Sequence, residues 1–369
     1  MNEINKPYRV IISGGGTGGH IYPAIAVANE IKSRNPKNEV IFVGAKGRME
    51  MHKVPKAGFH IIGLWISGIQ RGSILKNLLF PIKLALSLLK SSIIITRFRP
   101  KVAIGFGGYA SGPLLKVASK VGLPSVIQEQ NAFAGMTNKW LSKSVRKVCV
   151  AHEGMEKFFE ANKIEITGNP VRNDIANSRI TKSEALSFFN LKENKPTILV
   201  IGGSLGAKTI NEAVLNHIGS ICSEHIQLIW QTGQKYYKEI KEKIDGRYAT
   251  VYCSEFIYEM DKAYNAADIV ISRAGALSIS ELAVAGKASI FVPSPNVTDD
   301  HQTKNAEALV KQQAALMIKD NMAMETLVPL AMDLVRNKNK KEQLEANILN
   351  VGKPNAAKEI VDIVESFLK

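Results

Sequence analysis

Only three cysteines, Cys149, Cys222 and Cys253, are spread over 369 residues, and no spacing between them suits a metal or a redox pair. That excludes a disulfide scaffold and a thiolate zinc site, and points to reduced thiols in a cytosol. Acid is missing from a long interval: between Glu50 and Glu129 there is no Asp or Glu, while 11 Lys or Arg fall there. Unbroken apolar runs are scarce as well. The greasiest stretch, 73–95, is interrupted by Lys76, Pro81, Lys83 and Lys90, short of the about 18 uninterrupted apolar residues that a membrane span needs. The chain enters its first strand without an apolar signal region, so no export is expected. Aromatic residues make up 7% and do not interleave with the basic ones. Binders of single-stranded nucleic acid need that interleaving, so no nucleic acid is expected as a partner.

The charge that is present lies to one side. Residues 1–172 hold 25 Lys/Arg against 9 Asp/Glu, a net +16, whereas the remainder holds 23 against 24. A field so uneven suits an anionic partner for the first half, such as a phospholipid or a phosphorylated substrate. At 369 residues the chain exceeds what one core usually fills, which implies two domains.

The stretch 9–20, Arg-Val-Ile-Ile-Ser-Gly-Gly-Gly-Thr-Gly-Gly-His, reads as a buried strand, a glycine turn over Gly14, Gly15, Gly16, Thr17, Gly18 and Gly19, and then a helix over 22–34. Such a turn brings backbone N–H groups and a helix N-terminus against phosphate. His20 ends the turn as a titratable group where a ligand would lie. The Gly-x-Gly-x-x-Gly spacing also fits a dinucleotide site, but a nicotinamide site wants an acid about 20 residues on. The second strand instead runs into Gly44, Ala45 and Lys46, leaving only a 2′-phosphate cofactor open through Lys46 and Arg48.

Strands are expected at 9–13, 39–43, 59–64, 102–106, 125–128 and 147–151, alternating with helices as in a doubly wound α/β sheet. A second glycine loop, 105–113, contains Gly107, Gly108 and Tyr109 and precedes a helix over 114–121; polar residues Gln128 to Asn131 mark a third strand end. Ligands of open α/β sheets lie at these carboxyl ends. On a helix over 73–95, Lys76, Lys83 and Lys90 recur every seven residues as a cationic stripe beside a wide apolar face. The face is open to two readings, a cover for the sheet or a surface dipping into lipid among anionic headgroups. Trp65, Ile66, Ile69, Arg71, Arg97, Arg99 and Lys101 favour an anionic membrane surface through 65–101.

The second half repeats the first. Gly202-Gly203-Ser204-Leu205-Gly206 follows a strand as Gly15-Gly16-Thr17-Gly18-Gly19 does, with Ser204 lying 187 positions after Thr17. The repeat implies a second nucleotide-binding unit, and two such sheets are expected to face each other across a cleft. A later strand and small-residue turn lead into 276–281, where Glu281 is either a capping acid or a reader of ligand hydroxyls. Asp299, Asp300 and His301 form a polar loop rather than a converging metal set. The stretch 356–369 reads as an amphipathic helix that packs back on the first domain.

Taken together, these motifs resemble the MurG family, the N-acetylglucosaminyltransferases that convert lipid I to lipid II. The resemblance runs through Gly-Gly-Thr-Gly-Gly-His (15–20), Gly-Arg-Met-Glu (47–50), the loop at 105–113, Gln-Glu-Gln-Asn (128–131) and Gly-Asn-Pro-Val-Arg (168–172). It continues through Gly-Gly-Ser-Leu-Gly-Ala (202–207), Arg-Ala-Gly-Ala-Leu-Ser-Ile-Ser-Glu (273–281) and Asp-Asp-His-Gln (299–302). It implies the glycosyltransferase B fold, with an acceptor- and membrane-binding domain over 1–172 joined by a helix at 354–369, and a UDP-sugar domain over 173–353. It implies UDP-N-acetylglucosamine as donor, lipid I as acceptor, no metal or other cofactor, and a peripheral place on the cytoplasmic face of the membrane.

Carried over residue by residue, the donor contacts are Thr17, Gly18, Gly19, Asn131, Arg172, Ser204, Ile257, Ala276, Leu277, Ser278, Ile279, Ser280, Glu281 and Gln302. Ser204 meets the diphosphate, Ile257 the uracil, Glu281 the ribose and Gln302 the sugar. The acceptor diphosphate falls to Gly14, Gly15, Gly16, Gly107, Gly108 and Tyr109. Leu205 stands where many members have Gln, and Ser278 where many have Thr. An α-linked donor giving a β-1,4 bond requires one inverting displacement and a base for the acceptor hydroxyl. His20 is the first choice, because imidazole as a class titrates near neutrality, and Glu129 the second; the alternative role for His20 is to orient phosphate. Rival functions are a UDP-sugar 2-epimerase on the same scaffold and a membrane-docked nucleotide-sugar binder without turnover.

Overall fold

The computed structural model describes residues 6–68, 78–297 and 300–368. The chain divides into two compact units, 1–172 with 353–369, and 173–352. Among the described residues, the first unit holds one parallel sheet of seven strands in the order β3-β2-β1-β4-β5-β6-β7. These are β1 (Arg9–Ser13), β2 (Glu39–Ala45), β3 (His60–Leu64), β4 (Val102–Gly105), β5 (Ser125–Glu129), β6 (Lys147–Val150) and β7 (Ile164–Ile166). The short β7 was not expected; with Ile164, Glu165 and Ile166 it is too brief and too polar to announce itself.

The central strands are apolar through most of their length, as in Val10–Ile12 and Val102–Ile104, because both faces of the sheet are covered. Alternation then sends successive residues to opposite sides. Val10 and Ile12 join one core with Phe42, Ile104 and the helices Gly18–Arg34 and Ala356–Ser366. Ile11 joins the other with Val43, Ala103, Ile127, Ile94 and Leu114. The helix Ala356–Ser366 completes the first core with Ile360, Val361 and Val364, all fully buried. Arg34 clamps it through Glu365 at 2.8 Å and Asp362 at 2.6 Å.

The second unit repeats this plan. Its strands are β8 (Thr197–Ile201), β9 (Gln227–Gln231), β10 (Val251–Ser254), β11 (Ile269–Ser272), β12 (Ser289–Phe291) and β13 (Leu316–Met317), ordered β10-β9-β8-β11-β12-β13. Strand for strand this matches the first six of the other sheet, so the repeat seen between Thr17 and Ser204 is a repeat of topology. Trp230 fills the core with its indole N–H satisfied by Asn211 at 3.0 Å. In both sheets the strand order reverses beside the first strand, at β1/β4 and β8/β11, which opens a crevice beyond the carboxyl ends. The registers pair Ser13 with Gly105 and Ile201 with Ser272. The loops that follow therefore leave each sheet at the same level.

Two helices begin earlier than expected. The first starts at Gly18 rather than 22, which puts His20 inside its first turn, and the second spans Ser111–Lys120. Glycine and serine read as turn, yet a first turn has few intrahelical bonds to lose and tolerates them.

The lysine stripe is also corrected. Residues 69–77, with Ile69, Arg71 and Lys76, lie outside the described residues, and the helix there is Phe80–Phe98. Lys83 turns inward to the Ser67 hydroxyl at 3.2 Å, and Lys90 to the Gly63 carbonyl at 2.8 Å. The outward face is apolar instead, with Ile82, Leu86, Leu89 and Ile93 exposed, Leu89 to 61%. Among the described residues no helix is long and apolar enough to cross a membrane.

Ile360→Ala should cost about 2–5 kcal/mol of the first unit's stability through the cavity it leaves in a fully packed core. Urea unfolding followed by that unit's tryptophan fluorescence checks this, and an unchanged midpoint would mean that the C-terminal helix is not part of the core.

Candidate active site

In the first unit the site is built by two glycine loops that touch. Phe106 donates its N–H to the Ser13 carbonyl at 2.7 Å. Buried Ser111 donates to the carbonyls of Gly107 at 2.8 Å and Ser13 at 3.2 Å. Gly107 and Gly108 hold φ of +95° and +88°, a region that suits glycine. A Cβ on Gly108 would run into the Gly15 peptide. The expected cluster of Gly14, Gly15, Gly16, Gly107 and Gly108 is thus one continuous backbone surface. Tyr109, 43% exposed, forms its rim, with Arg48 5.8 Å from its ring centroid.

Thr17 is the N-cap of the helix Gly18–Arg34 but makes no side-chain cap. The turn therefore leaves the N–H groups of Gly18 and Gly19 available to an anion, while the Thr17 hydroxyl lies 3.4 Å from His20 Nδ1. His20 is half-buried, and its Nδ1 lies 2.9 Å from the Gly15 carbonyl oxygen. A carbonyl only accepts, so Nδ1 carries a proton, and in the neutral imidazole it is then Nε2 that keeps the lone pair. Among the described residues Nε2 makes no hydrogen bond. Its ring lies against Gly107, where a Cβ would come within 2.9 Å of Nε2.

Glu129, the second base candidate, is placed differently. Only 2% exposed at the end of β5, it accepts the N–H groups of Asn131 at 3.1 Å and Gly135 at 2.9 Å and the Asn138 amide at 2.9 Å. A carboxylate so fully engaged organises the 129–138 loop and has no free lone pair aimed outward. Asn131 is held by it, while Arg172 closes the first unit. Glu50, in the Gly-Arg-Met-Glu motif, is a functional candidate that sequence alone does not single out; its carboxylate lies beneath Gly15 and Gly16. A lone acid in a basic stretch was the available signal.

In the second unit Ser204 is exposed on the loop after β8. Gly206, at φ +81°, is jammed against the Thr232 carbonyl and Gly233, so no side chain fits there. Gln231, not singled out from the sequence, ties the site together. Its amide donates to the Gly203 carbonyl at 3.2 Å and accepts the Ile257 N–H at 2.9 Å. The Ile257 side chain is only 2% exposed and its N–H is spent on Gln231, which leaves its carbonyl.

The helix Ala276–Ala285 presents the N–H groups of Ala276, Leu277 and Ser278 at an N-terminus without a side-chain cap. Glu281 falls in the second turn, so the capping reading fails; buried Tyr264 orients it, donating its hydroxyl to Oε2 at 2.9 Å. Ile279 is core, and the Ser280 hydroxyl donates back to the Ala276 carbonyl at 3.0 Å. Gln302 accepts the Ser294 N–H at 2.9 Å and thereby fixes the preceding loop. Thr298 and Asp299 lie outside the described residues, and Asp300 accepts the Thr303 hydroxyl at 2.6 Å. Among the described residues no three His, Cys, Asp or Glu converge on a metal position.

Two doubly wound parallel sheets in one chain, each opening at its switch point onto a glycine turn and a helix N-terminus, define the glycosyltransferase B class of fold. The crystal structure of Acinetobacter baumannii MurG superposes with a TM-score of 0.75 at 28% identity, covering 98% of this chain and 100% of that one. Models of the glycosyltransferase family 28 N-terminal and C-terminal domains match residues 10–150 and 197–361. A Cytophaga hutchinsonii protein described as UDP-N-acetylglucosamine–N-acetylmuramyl-(pentapeptide) pyrophosphoryl-undecaprenol N-acetylglucosamine transferase is 53% identical over 359 residues, 97% of this chain and 96% of its own. Its namesake in Parabacteroides distasonis is 52% identical over 364 residues, 98% of this chain and 99% of its own. The chain belongs to glycosyltransferase family 28 and, within it, to the MurG family. A Neisseria meningitidis UDP-GlcNAc 2-epimerase has a TM-score of 0.68 at 13% identity, covering 97% of this chain and 100% of that one, a likeness of fold alone.

Gly107→Ala should push the His20 ring from its place and cost about 1–3 kcal/mol for the strained backbone. A lowered melting temperature together with a displaced His20 resonance would bear this out; an alanine accommodated with neither change would contradict the packing of the two loops.

Proposed function

We propose that the chain transfers N-acetylglucosamine from UDP-N-acetylglucosamine to the 4-hydroxyl of the muramoyl-pentapeptide of undecaprenyl-diphosphate lipid I, with inversion, forming lipid II. The end-to-end likeness to transferases of that description supports the substrates. The observation that carries the mechanism is the His20 imidazole, with Nδ1–H bound to the Gly15 carbonyl and Nε2 unengaged above the glycine surface.

The second unit holds the donor. Ser204 and the N–H groups of Ala276, Leu277 and Ser278 meet the diphosphate, Glu281 the ribose hydroxyls, the Ile257 carbonyl the uracil and Gln302 the sugar. The first unit offers the backbone surface of Gly14, Gly15, Gly107 and Gly108, with Tyr109, to the acceptor diphosphate; of the expected set, the Gly16 N–H is already spent on Glu50. As the acceptor O4 bonds to the donor's anomeric carbon, His20 Nε2 takes the hydroxyl proton. The bond from that carbon to the diphosphate breaks, and its electron pair leaves with UDP. Backbone N–H groups and a helix N-terminus stabilise the departing charge.

The same reading makes the protein peripheral to the cytoplasmic face of an anionic membrane. Leu79, Ile82, Leu86, Leu89 and Ile93 dip into the acyl boundary while exposed Arg97, Arg99 and Lys101 meet headgroups.

A transfer assay with labelled UDP-N-acetylglucosamine and a short-chain lipid I analogue tests the reaction; UDP released without acceptor, or an epimerised sugar, would replace it with the rival activity. His20→Ala should lower kcat by about 10²–10⁴-fold while donor affinity stays nearly constant, and equal losses in both would remove the base role. Glu281→Ala should instead raise donor KM by about tenfold or more, the worth of a charge-assisted hydrogen bond.

Replacing Leu86 and Leu89 together by Glu should weaken binding to phosphatidylglycerol vesicles by about tenfold or more. Turnover of a detergent-dispersed acceptor should be retained, and undiminished vesicle binding would put the membrane contact elsewhere.

A further inference from the structure

Glu50 opens the helix Glu50–Lys56 and is buried, only 1% exposed. Its carboxylate lies directly under the first glycine loop. Oε2 accepts the Gly16 N–H at 2.9 Å, and Oε1 accepts the Ala45 N–H at 3.0 Å. Space for it is made by missing side chains: a Cβ on Gly15 would run into the carboxylate, and one on Gly44 would come within 2.6 Å of its Cγ.

The Gly16 N–H and the Gly15 carbonyl are the two ends of one planar peptide group. The carbonyl end is the same oxygen that accepts the His20 Nδ1–H at 2.9 Å. Carboxylate and imidazole therefore hold opposite poles of a single amide. An anion at the N–H pole polarises the amide and enriches the carbonyl oxygen, since hydrogen bonds in a chain reinforce one another. A stronger acceptor keeps the proton on Nδ1 and the lone pair on Nε2, which is how the partner of one ring nitrogen decides the state of the other.

We propose, resting on the reading of His20 as the base, that Glu50 is a positioning residue for His20. It acts through the Gly15–Gly16 peptide, so that carboxylate, amide and imidazole form one relay with Nε2 as its free end. The arrangement does the work of an acid–histidine pair with a peptide inserted between the partners. It also gives the Gly-Arg-Met-Glu motif at 47–50 a part in the reaction.

The test is the ¹⁵N spectrum of the full-length protein labelled at histidine, with His20 assigned by its loss in His20→Ala. The wild type should show a protonated Nδ1 and a bare Nε2. Glu50→Gln keeps the size of the side chain but sets an amide N–H₂ against a backbone N–H. It should move His20 toward the Nε2–H tautomer and lower kcat by about tenfold or more, with donor KM within about twofold. Glu50→Asp, which keeps the charge one methylene further back, should recover part of kcat and of the wild-type spectrum; it also carries the test should Glu50→Gln not fold. An Nε2–H tautomer in the wild type overturns the relay. So does a folded Glu50→Gln with a wild-type His20 spectrum, whether kcat is unchanged or falls together with donor affinity. Should His20→Ala keep its kcat while Glu50→Gln still alters the tautomer, the base reading fails and the coupling stands.

Discussion

The structure of the first unit depends on one close approach, that of the Gly108 backbone to the Gly15 peptide. β1 and β4 are neighbours in register, so the loops that follow them leave the sheet side by side. With side chains on either loop they would be forced apart. Without them the loops merge into a surface of N–H groups and carbonyls, and His20 is laid across it. Everything chemical about this unit follows from that merger: the orientation of the imidazole, the exposure of the first helical turn, and the seat for Glu50.

The second unit solves the same problem with different atoms. Gly206 and Gly233 approach back to back, and Gln231 bridges from the Gly203 carbonyl to the Ile257 N–H. In the first unit the corresponding ties are Ser111, reaching from one glycine loop to the strand beneath the other, and Gln130, donating to the Phe106 carbonyl at 2.8 Å. Polar side chains at the carboxyl ends of parallel strands thus serve mainly to lock loops to one another. Such groups satisfy backbone partners that would otherwise be buried unpaired, and only a few remain to face a ligand.

That division explains which site residues could be read in advance. Glycine turns after apolar strands are legible because backbone geometry demands the residue type. Glu281 was legible as an acid near a helix start, but Tyr264, which orients it, was not, since a tyrosine in a helix carries no mark of its partner. Glu129 looked like a base because it is an acid at a strand end; the amide donors around it come from Asn131, Gly135 and Asn138 and become visible only when the loop is folded. The lysines at 83 and 90 misled in the same way. Their heptad spacing places them on one side of a helix, but spacing does not say whether that side meets solvent or the end of β3.

By itself the sequence determined the layered α/β plan, the doubling of that plan, and the glycine turn that follows the first strand of each half. Periodicity and glycine placement encode these locally. Tertiary structure alone decided which polar groups are consumed by their neighbours and which stay free, because a hydrogen bond between residues distant along the chain, such as Gly16 with Glu50, leaves no local pattern. It also decided that the outward face of the helix Phe80–Phe98 is apolar, since burial of one side of a helix is fixed by what packs against it.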